Sequence, residues 1–103
     1  MTLPEPELAD VPLLTVLQAL ADENRLAIVR GLTSGQEQMC GSFLPDLSKA
    51  TRSHHFKVLR EAGLTRTRLE GTSKYVRLRV DELERRFPGL LDSVTSADPV
   101  PTR

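Results

Sequence analysis

The fold of this chain is decided by residues 47–64, which read LSKATRSHHFKVLREAGL. Ser48 is a residue type that caps the start of a helix and Gly63 a type that ends one, so the stretch predicts a helix over Lys49–Ala62. At about 100° per residue, the side chains divide between two faces. The face predicted to join a core carries Phe56, Val58, Leu59 and Ala62, with Thr51, Arg52 and His55 near its edges. The other face carries Lys49, Ala50, Ser53, His54 and Lys57.

The same part of the chain holds most of the positive charge of a protein whose formal net charge is zero. From Lys49 to Arg79 there are nine Lys or Arg residues and two acidic residues, whereas residues 1–48 and 80–103 both carry an acidic surplus. A local cationic surplus of this size is typical of a surface that binds a polyanion. The alternative interpretation is a charged face that only meets solvent. The secondary structure that carries the charges is needed to choose between the two interpretations.

Beyond Gly63 the hydrophobic period changes from that of a helix to that of a strand. Two alternating runs, Leu64–Leu69 and Lys74–Val80, flank a turn at 70–73 in which Gly71 accommodates a positive φ. The pattern predicts a β-hairpin. One face of its second strand is expected to carry Tyr75, Arg77 and Arg79.

The N-terminal half predicts helices on both sides of Asp22. The spacing of its leucines predicts a first helix over Pro12–Ala21, and Asp22 is the expected N-cap of a second helix that ends near Leu32. A short helix is expected over Met39–Leu44. Residues 1–11, which combine prolines with acidic residues, are expected to form a flexible arm.

An apolar stripe follows the hairpin and predicts a last helix over Val80–Val94. Phe87-Pro88 is expected to kink or split this helix, because a residue that precedes proline disfavours the helical conformation. Residues 95–103 are expected to be a disordered tail. Residues 12–94 are thus predicted to form one folded domain.

The order of elements predicts a mostly α fold with a small β-hairpin (α+β), that is, a winged helix-turn-helix. In such a fold one helix enters the major groove of DNA while a basic hairpin lies over the adjacent backbone. Small polar groups on the helix are expected at base edges, and Lys and Arg side chains at phosphates. The predicted DNA-binding residues are Lys49, Ala50, Thr51, Arg52, Ser53, His54, Lys57, Arg66, Arg68 and Lys74.

The stretch at 47–64 resembles the recognition-helix signature of ArsR-type winged helix-turn-helix repressors of bacteria. Residues 20–26 (LADENRL) and the hairpin residues 70–71 and 75–78 are also similar to that family. The resemblance covers about residues 13–80. It implies a cytoplasmic homodimer that binds a palindromic double-stranded DNA operator and represses transcription until a signal releases it.

Two departures from the family pattern concern that signal. Many members sense metal through a Cys-x-Cys pair near the short third helix, whereas this chain has Cys40-Gly41-Ser42 there. Others use a carboxylate and histidines on the last helix, which has no histidine here. Because zinc and soft metals need several thiolate or imidazole ligands, no metal and no cofactor is predicted, and the small-molecule or metal inducer is left open. A metal- or redox-responsive regulator sensing through Cys40 is the alternative; the other interpretation of this thiol is a small apolar core residue.

The first and last helices carry more apolar surface than a small core needs, which indicates an interface. A helix-turn-helix also acts in pairs, because one short helix contacts few base pairs. The chain is therefore expected to bind itself as a homodimer. The predicted dimer interface consists of Leu13, Leu14, Leu17, Leu83, Phe87, Leu90, Leu91 and Val94.

Other classes of protein fit the sequence less well. No nucleophile elbow, glycine-rich phosphate loop or recognisable carboxylate pair is present, so an enzyme is not expected. No stretch has the length of a membrane span and no signal peptide is recognisable, so a cytoplasmic location away from the membrane is expected. A winged-helix interaction module without DNA binding is the competing class, and the retained basic residues favour DNA binding over it.

Overall fold

The computed structural model describes residues 1–96. Its helices and strands are α1 (Leu13–Leu20), α2 (Glu23–Gly31), β1 (Gln38–Met39), α3 (Lys49–Glu61), β2 (Thr65–Glu70), β3 (Ser73–Leu78), α4 (Val80–Arg86) and α5 (Leu90–Ser96). Short 3-10 turns lie at Leu8–Asp10 and Cys40–Ser42. This architecture, mostly helical with one small antiparallel sheet, confirms the fold class predicted from the sequence.

The two helices of the helix-turn-helix, α2 and α3, start at side-chain caps. The Asp22 carboxylate accepts hydrogen bonds from the backbone N–H groups of Asn24 at 2.9 Å and Arg25 at 3.0 Å. Ser48 Oγ accepts one from the N–H of Thr51 at 3.1 Å. Each cap satisfies donors that the first helical turn leaves free and stabilises the helix by about 1 kcal/mol. The predicted starts of both helices are confirmed.

Gly63 ends α3 and turns the chain into the hairpin. Its φ is 82°, and a Cβ at this position would lie 2.6 Å from Leu8 Cδ2, so any other residue would meet both backbone strain and a clash. Strands β2 and β3 then pair antiparallel with Thr67 opposite Val76. Strand β1 pairs with the other edge of β3, which gives the sheet the order β1-β3-β2.

The hydrophobic core lies between the helices and the inner face of this sheet. Its most deeply buried side chains are Val16, Ile28, Val29, Leu32, Leu59, Leu64, Val76, Leu78 and Leu83. The rings of Phe43 and Phe56 meet edge to face with centroids 5.9 Å apart. Full burial of one such aliphatic side chain contributes about 1.5–3 kcal/mol. The core thus holds one face of α3 and leaves the other in solvent.

Residues 1–11, expected to be a flexible arm, lie against the hairpin instead. The N–H of Leu3 donates a hydrogen bond of 2.9 Å to the carbonyl of Thr67 on β2. Leu8 and Val11 are buried and belong to the core. The prolines and acidic residues of this segment were the basis for predicting a flexible arm. The folded hairpin, however, presents an open strand edge whose backbone groups need partners, and the segment supplies them.

The prediction of a short helix over Met39–Leu44 is wrong. Gln38 pairs with Val76 of β3, and the chain then makes only the 3-10 turn Cys40–Ser42. The pairing partner lies far along the sequence, so the local pattern at this segment carried no signal for a strand.

Arg79, expected on the outward face of the second strand, is buried. Because β3 ends at Leu78 and Arg79 takes the N-cap position of α4, the alternation of the strand stops before it. Its guanidinium donates to the carbonyl of Pro6 at 2.9 Å and forms an ion pair with Glu82. Arg79 therefore fastens the N-terminal segment to the start of α4.

The predicted break at Phe87-Pro88 is confirmed, because α4 and α5 are separate helices on either side of it. Thr95 and Ser96, which were assigned to the disordered tail, belong to α5. The rest of that predicted tail, residues 97–103, lies outside the described residues.

Candidate nucleic-acid interface

The outward face of α3 presents the helix residues predicted to contact DNA. The exposed side chains are Lys49, Ala50, Thr51, Ser53, His54 and Lys57. Arg52 is half-buried at the edge of this face. The opposite face of the helix buries His55, Phe56 and Leu59. The α3 residues of the prediction are therefore all accessible in the structure, with Arg52 only partly so.

Most of the cations on this surface keep their charge available for an anion. Within residues 1–96, the side chains of Lys49 and Arg52 on α3 and Lys74 on β3 form no hydrogen bond or ion pair. Lys57 Nζ lies 3.8 Å from Glu61 Oε1, and both side chains are exposed. An exposed pair of this kind contributes about 0.3–0.5 kcal/mol, so a phosphate can replace the carboxylate with little loss.

Arg68 on β2 is held by two carboxylates. Its guanidinium donates to the oxygens of Glu37 at 2.9 to 3.2 Å and to Glu70 at 2.8 Å. It also lies 4.7 Å from the centre of the Tyr75 ring. The hydrogen bonds with Glu37 raise the pKa of Arg68 and lower the pKa of the Glu37 carboxyl. A contact between Arg68 and DNA would have to compete with this network.

Arg66 is paired in the same way at the base of the hairpin. Its Nε donates to Glu5 at 2.6 Å, and Glu82 lies 3.8 Å from its guanidinium. The hydrogen bond with Glu5 raises the pKa of Arg66. Arg66 and Arg68 are both predicted to contact DNA, and in the structure carboxylates lie against both of them.

Arg60 was not predicted as a functional residue, although the structure places it next to the candidate interface. It is half-buried and lines the groove between α3 and the hairpin together with Arg52. Side chains eight residues apart point about 80° apart around a helix, so the spacing of Arg52 and Arg60 was only a weak sequence signal for this placement.

The angle between α2 and α3 is held by a polar contact beneath the candidate interface. His55 is buried, with Nδ1 at 3.2 Å from Arg25 Nη1 and 4.0 Å from Asp22 Oδ1. Arg25 Nε also donates to the carbonyl of Ala19 at 2.6 Å. The hydrogen bond from the Arg25 backbone N–H is the main reason why the pKa of Asp22 lies below its usual range. The cap of α2 and the inner face of α3 are therefore joined in one contact.

The predicted dimer interface divides into two groups in the structure. The exposed group on α1 is Leu13, Leu14 and Leu17, while Leu90 and Val94 on α5 are half-buried. The buried group is Leu83, Phe87 and Leu91. The prediction that this second group contacts a second copy is wrong. These side chains pack into the chain's own core, because α4 and α5 lie against it.

No metal site is formed by the described residues. Within residues 1–96, no three His, Cys, Asp or Glu side chains come together in a way that could hold a metal ion. Cys40 is half-buried, and this burial raises the pKa of its thiol. A raised pKa keeps the thiol protonated near pH 7, which is the less nucleophilic and less metal-binding form.

The helices of residues 1–96 include none that is long and apolar enough to cross a membrane.

Comparisons with known proteins agree with this geometry. Residues 20–68 match the family described as Helix-turn-helix domain. The chain is 48% identical over 82 residues to the uncharacterized HTH-type transcriptional regulator YceK of Bacillus subtilis (strain 168), and the match covers 77% of this chain and 82% of that relative. The structure of the transcriptional regulator HlyU from Vibrio vulnificus CMCP6 is similar, with a TM-score of 0.62 and 30% identity over 81% of this chain and 83% of that one. A possible transcriptional regulator for arsenical resistance is also similar, with a TM-score of 0.60 and 35% identity over 75% of this chain and 80% of that one.

A capped helix pair, a basic outward helix face and an adjacent hairpin together define a winged helix-turn-helix protein. The chain belongs to the helix-turn-helix transcriptional regulators, and its resemblance to the ArsR type is confirmed. It is a DNA-binding transcriptional regulator, and this family is not a class of enzymes.

Proposed function

We propose that this regulator is a cytoplasmic homodimeric repressor that acts on a palindromic operator. The observation that carries the proposal is the row Leu13, Leu14 and Leu17 on α1, whose side chains are exposed by 46, 63 and 41%. A contiguous exposed apolar row usually marks an interface, because water is expelled from it on association. The half-buried Leu90 and Val94 on α5 are assigned to the same interface.

A two-fold pair gives the dimer its reach along DNA. Two copies of α3 related by the dyad can enter successive major grooves, with half-sites about 34 Å apart. This geometry requires an operator whose two halves repeat with inverted symmetry. A repressor bound there blocks transcription by occupying the DNA that the polymerase needs.

The residues of the candidate interface are assigned distinct roles. Ser53 and His54, small and polar on the exposed face of α3, are proposed to meet base edges, where each good contact discriminates by about 1–3 kcal/mol. Ala50 and Thr51 complete this face next to them. The phosphate contacts are assigned to Lys49, Arg52, Lys57 and Lys74.

Arg66 and Arg68 are assigned a different role from the one predicted from sequence. Their pairs with Glu5 and Glu37 join the hairpin to segments outside it. We propose that they hold the hairpin in position while Lys74 meets the phosphate.

The test is selection of bound DNA from a random pool, combined with light scattering to measure the mass of the protein. Inverted half-sites and a dimeric mass are expected. Replacement of Ser53 or His54 by Ala is expected to relax the selected sequence, whereas Ser93→Ala on α5 serves as a matched control that leaves it unchanged. A monomeric mass at micromolar concentration, or selected sites without inverted symmetry, would contradict the proposal.

A further inference from the structure

A groove of about 280 Å³ runs between α3, the hairpin and the turn at Cys40–Ser42. Four cationic side chains line it, namely Lys49, Arg52 and Arg60 from α3 and Lys74 from β3. None of the lining residues is acidic. Within residues 1–96 none of the four cations has a hydrogen bond or an ion pair with an acid, unlike Arg66 and Arg68 on the hairpin.

The remaining charge in the groove does not offset these cations. Cys40 lines the groove, and burial raises the pKa of its thiol, so the sulfur carries no negative charge near pH 7. Lys74, Arg52 and Arg60 line the groove together with this thiol, so their charges face the same space. Like charges that converge without a counter-charge repel each other, so an anion placed between them gains favourable interactions with all of them.

Thr67 provides a second, independent sign of a ligand. It lines the groove from β2, its residue is 2% exposed, and its Oγ1 has no hydrogen-bond partner within residues 1–96. A buried hydroxyl without a partner is rare, because its desolvation is uncompensated. An anionic oxygen in the groove is the acceptor that this hydroxyl lacks.

The groove also has an apolar part. Phe56, Met39 and Leu3 contribute apolar side chains to its lining. A bare inorganic ion would leave this part in contact with water. The lining therefore favours a ligand that joins an anionic group to a small apolar body.

We propose that this groove binds a small organic anion, with a phosphate or carboxylate group between Arg52, Arg60 and the Thr67 hydroxyl, and an apolar body against Phe56. Lys49 and Ser53 belong both to the groove and to the assigned DNA-contacting face. A ligand in the groove therefore competes with DNA for this face, a consequence that rests on the proposed function. Such competition is a release signal that needs neither a metal nor a reactive thiol.

Phenyl phosphate is the probe for this site, titrated into the full chain without DNA by calorimetry and by backbone amide NMR. Phenol tests the apolar body alone, and inorganic phosphate tests the anion alone. Phenyl phosphate is expected to bind more tightly than either one and to shift the amide signals of Thr67 and Cys40. Absence of saturable binding, or equal affinity for phenol or for inorganic phosphate, would overturn the assigned ligand class.

Three variants test whether phenyl phosphate binds in this groove. Arg60→Gln is expected to weaken phenyl phosphate binding about tenfold, as for loss of a charge-assisted hydrogen bond. Thr67→Val keeps the shape of the buried side chain and removes the unpaired hydroxyl, so it is expected to weaken binding about threefold without lowering the unfolding temperature. Arg85→Gln removes an exposed cation on α4, outside this groove, and is expected to bind as the unchanged protein does. Equal affinity in all three variants would refute the location.

The link to DNA is measured separately by fluorescence anisotropy at constant ionic strength. Phenyl phosphate is expected to weaken operator binding by the unchanged chain and to have at least tenfold less effect on Arg60→Gln. Ligand binding without any effect on operator affinity would refute the competition but leave the site supported. A chain that binds the probe but no DNA would refute the proposed function alone.

Discussion

Lys74→Ala and Arg68→Ala form a matched pair that tests how the hairpin meets DNA. Both residues are cations on the same hairpin, but Lys74 has no acidic partner within residues 1–96, whereas Arg68 is hydrogen-bonded to Glu37 and Glu70. Each phosphate neutralised by a protein cation contributes about 0.9 to the slope of log affinity against log salt. Because the proposed dimer presents two copies of Lys74, Lys74→Ala is expected to reduce the slope by about 1.8.

Arg68→Ala is expected to change that slope by less than half as much. The charge of Arg68 is already balanced by carboxylates, so few counterions are released from DNA on its account. Its loss is expected to lower the stability of the hairpin only slightly, because the side chain and its partners are exposed to solvent, which screens the ion pairs. The two variants thus separate a phosphate contact from a structural ion pair.

The assay is fluorescence anisotropy of a labelled operator, titrated with each protein over about 50–300 mM potassium chloride. Thermal unfolding of both variants checks that the hairpin stays folded. An equal reduction of the slope by the two variants would refute the distinction between free and paired cations. It would show that Arg68 exchanges its carboxylates for phosphates on binding.

Three further predictions concern assembly and stability. Leu14→Glu places a charge in the exposed row on α1 and is expected to give a monomer by light scattering, with operator affinity reduced at least a hundredfold; an unchanged dimeric mass would exclude α1 from the interface. Leu59→Ala removes a fully buried side chain and is expected to cost about 2–5 kcal/mol in urea unfolding, so a loss below about 1 kcal/mol would contradict the burial of this face of α3. The pKa of Asp22 is lowered from 3.8 by the cap hydrogen bond of the Arg25 N–H, so its contribution to stability is present above the unfolded pKa and is lost as the pH falls through the lower, folded pKa. Asp22→Asn keeps an acceptor that does not titrate and is expected to flatten the decline of unfolding free energy between about pH 5 and pH 2, and an unchanged decline would show that Asp22 is not its source.

Local signals in the sequence were sufficient for the helix-turn-helix and the hairpin. The cap at Ser48, the apolar period of α3 and the glycine at its end, Gly63, each act on the backbone only a few residues away. They determine where the helix starts, which face it buries and where it ends. The exposed residues of the candidate interface followed from the same pattern, because a helix that buries one face must present the other.

Contacts between distant segments were beyond the reach of such signals. Strand β1 forms because β3 offers it a free edge, and residues 1–11 are held by the edge of β2 and by the core. The partners of Arg66 and Arg68 come from Glu5 and Glu37, which lie 61 and 31 residues away. A hydrophobic stripe in the sequence likewise gives no indication whether it packs against its own core or against a second copy. For this reason Leu83, Phe87 and Leu91 were predicted at the dimer interface although they belong to the core.

The sequence by itself determined the class of fold and the basic face of α3, because caps, periodicity and turn residues act through the local backbone. Only the tertiary structure decided which cations remain available to an anion. Whether an arginine is free or paired depends on carboxylates that the folded chain brings to it, and their distances are set by packing and not by sequence separation. The groove beside α3 exists for the same reason, since it is bounded by segments that meet only once the chain is folded.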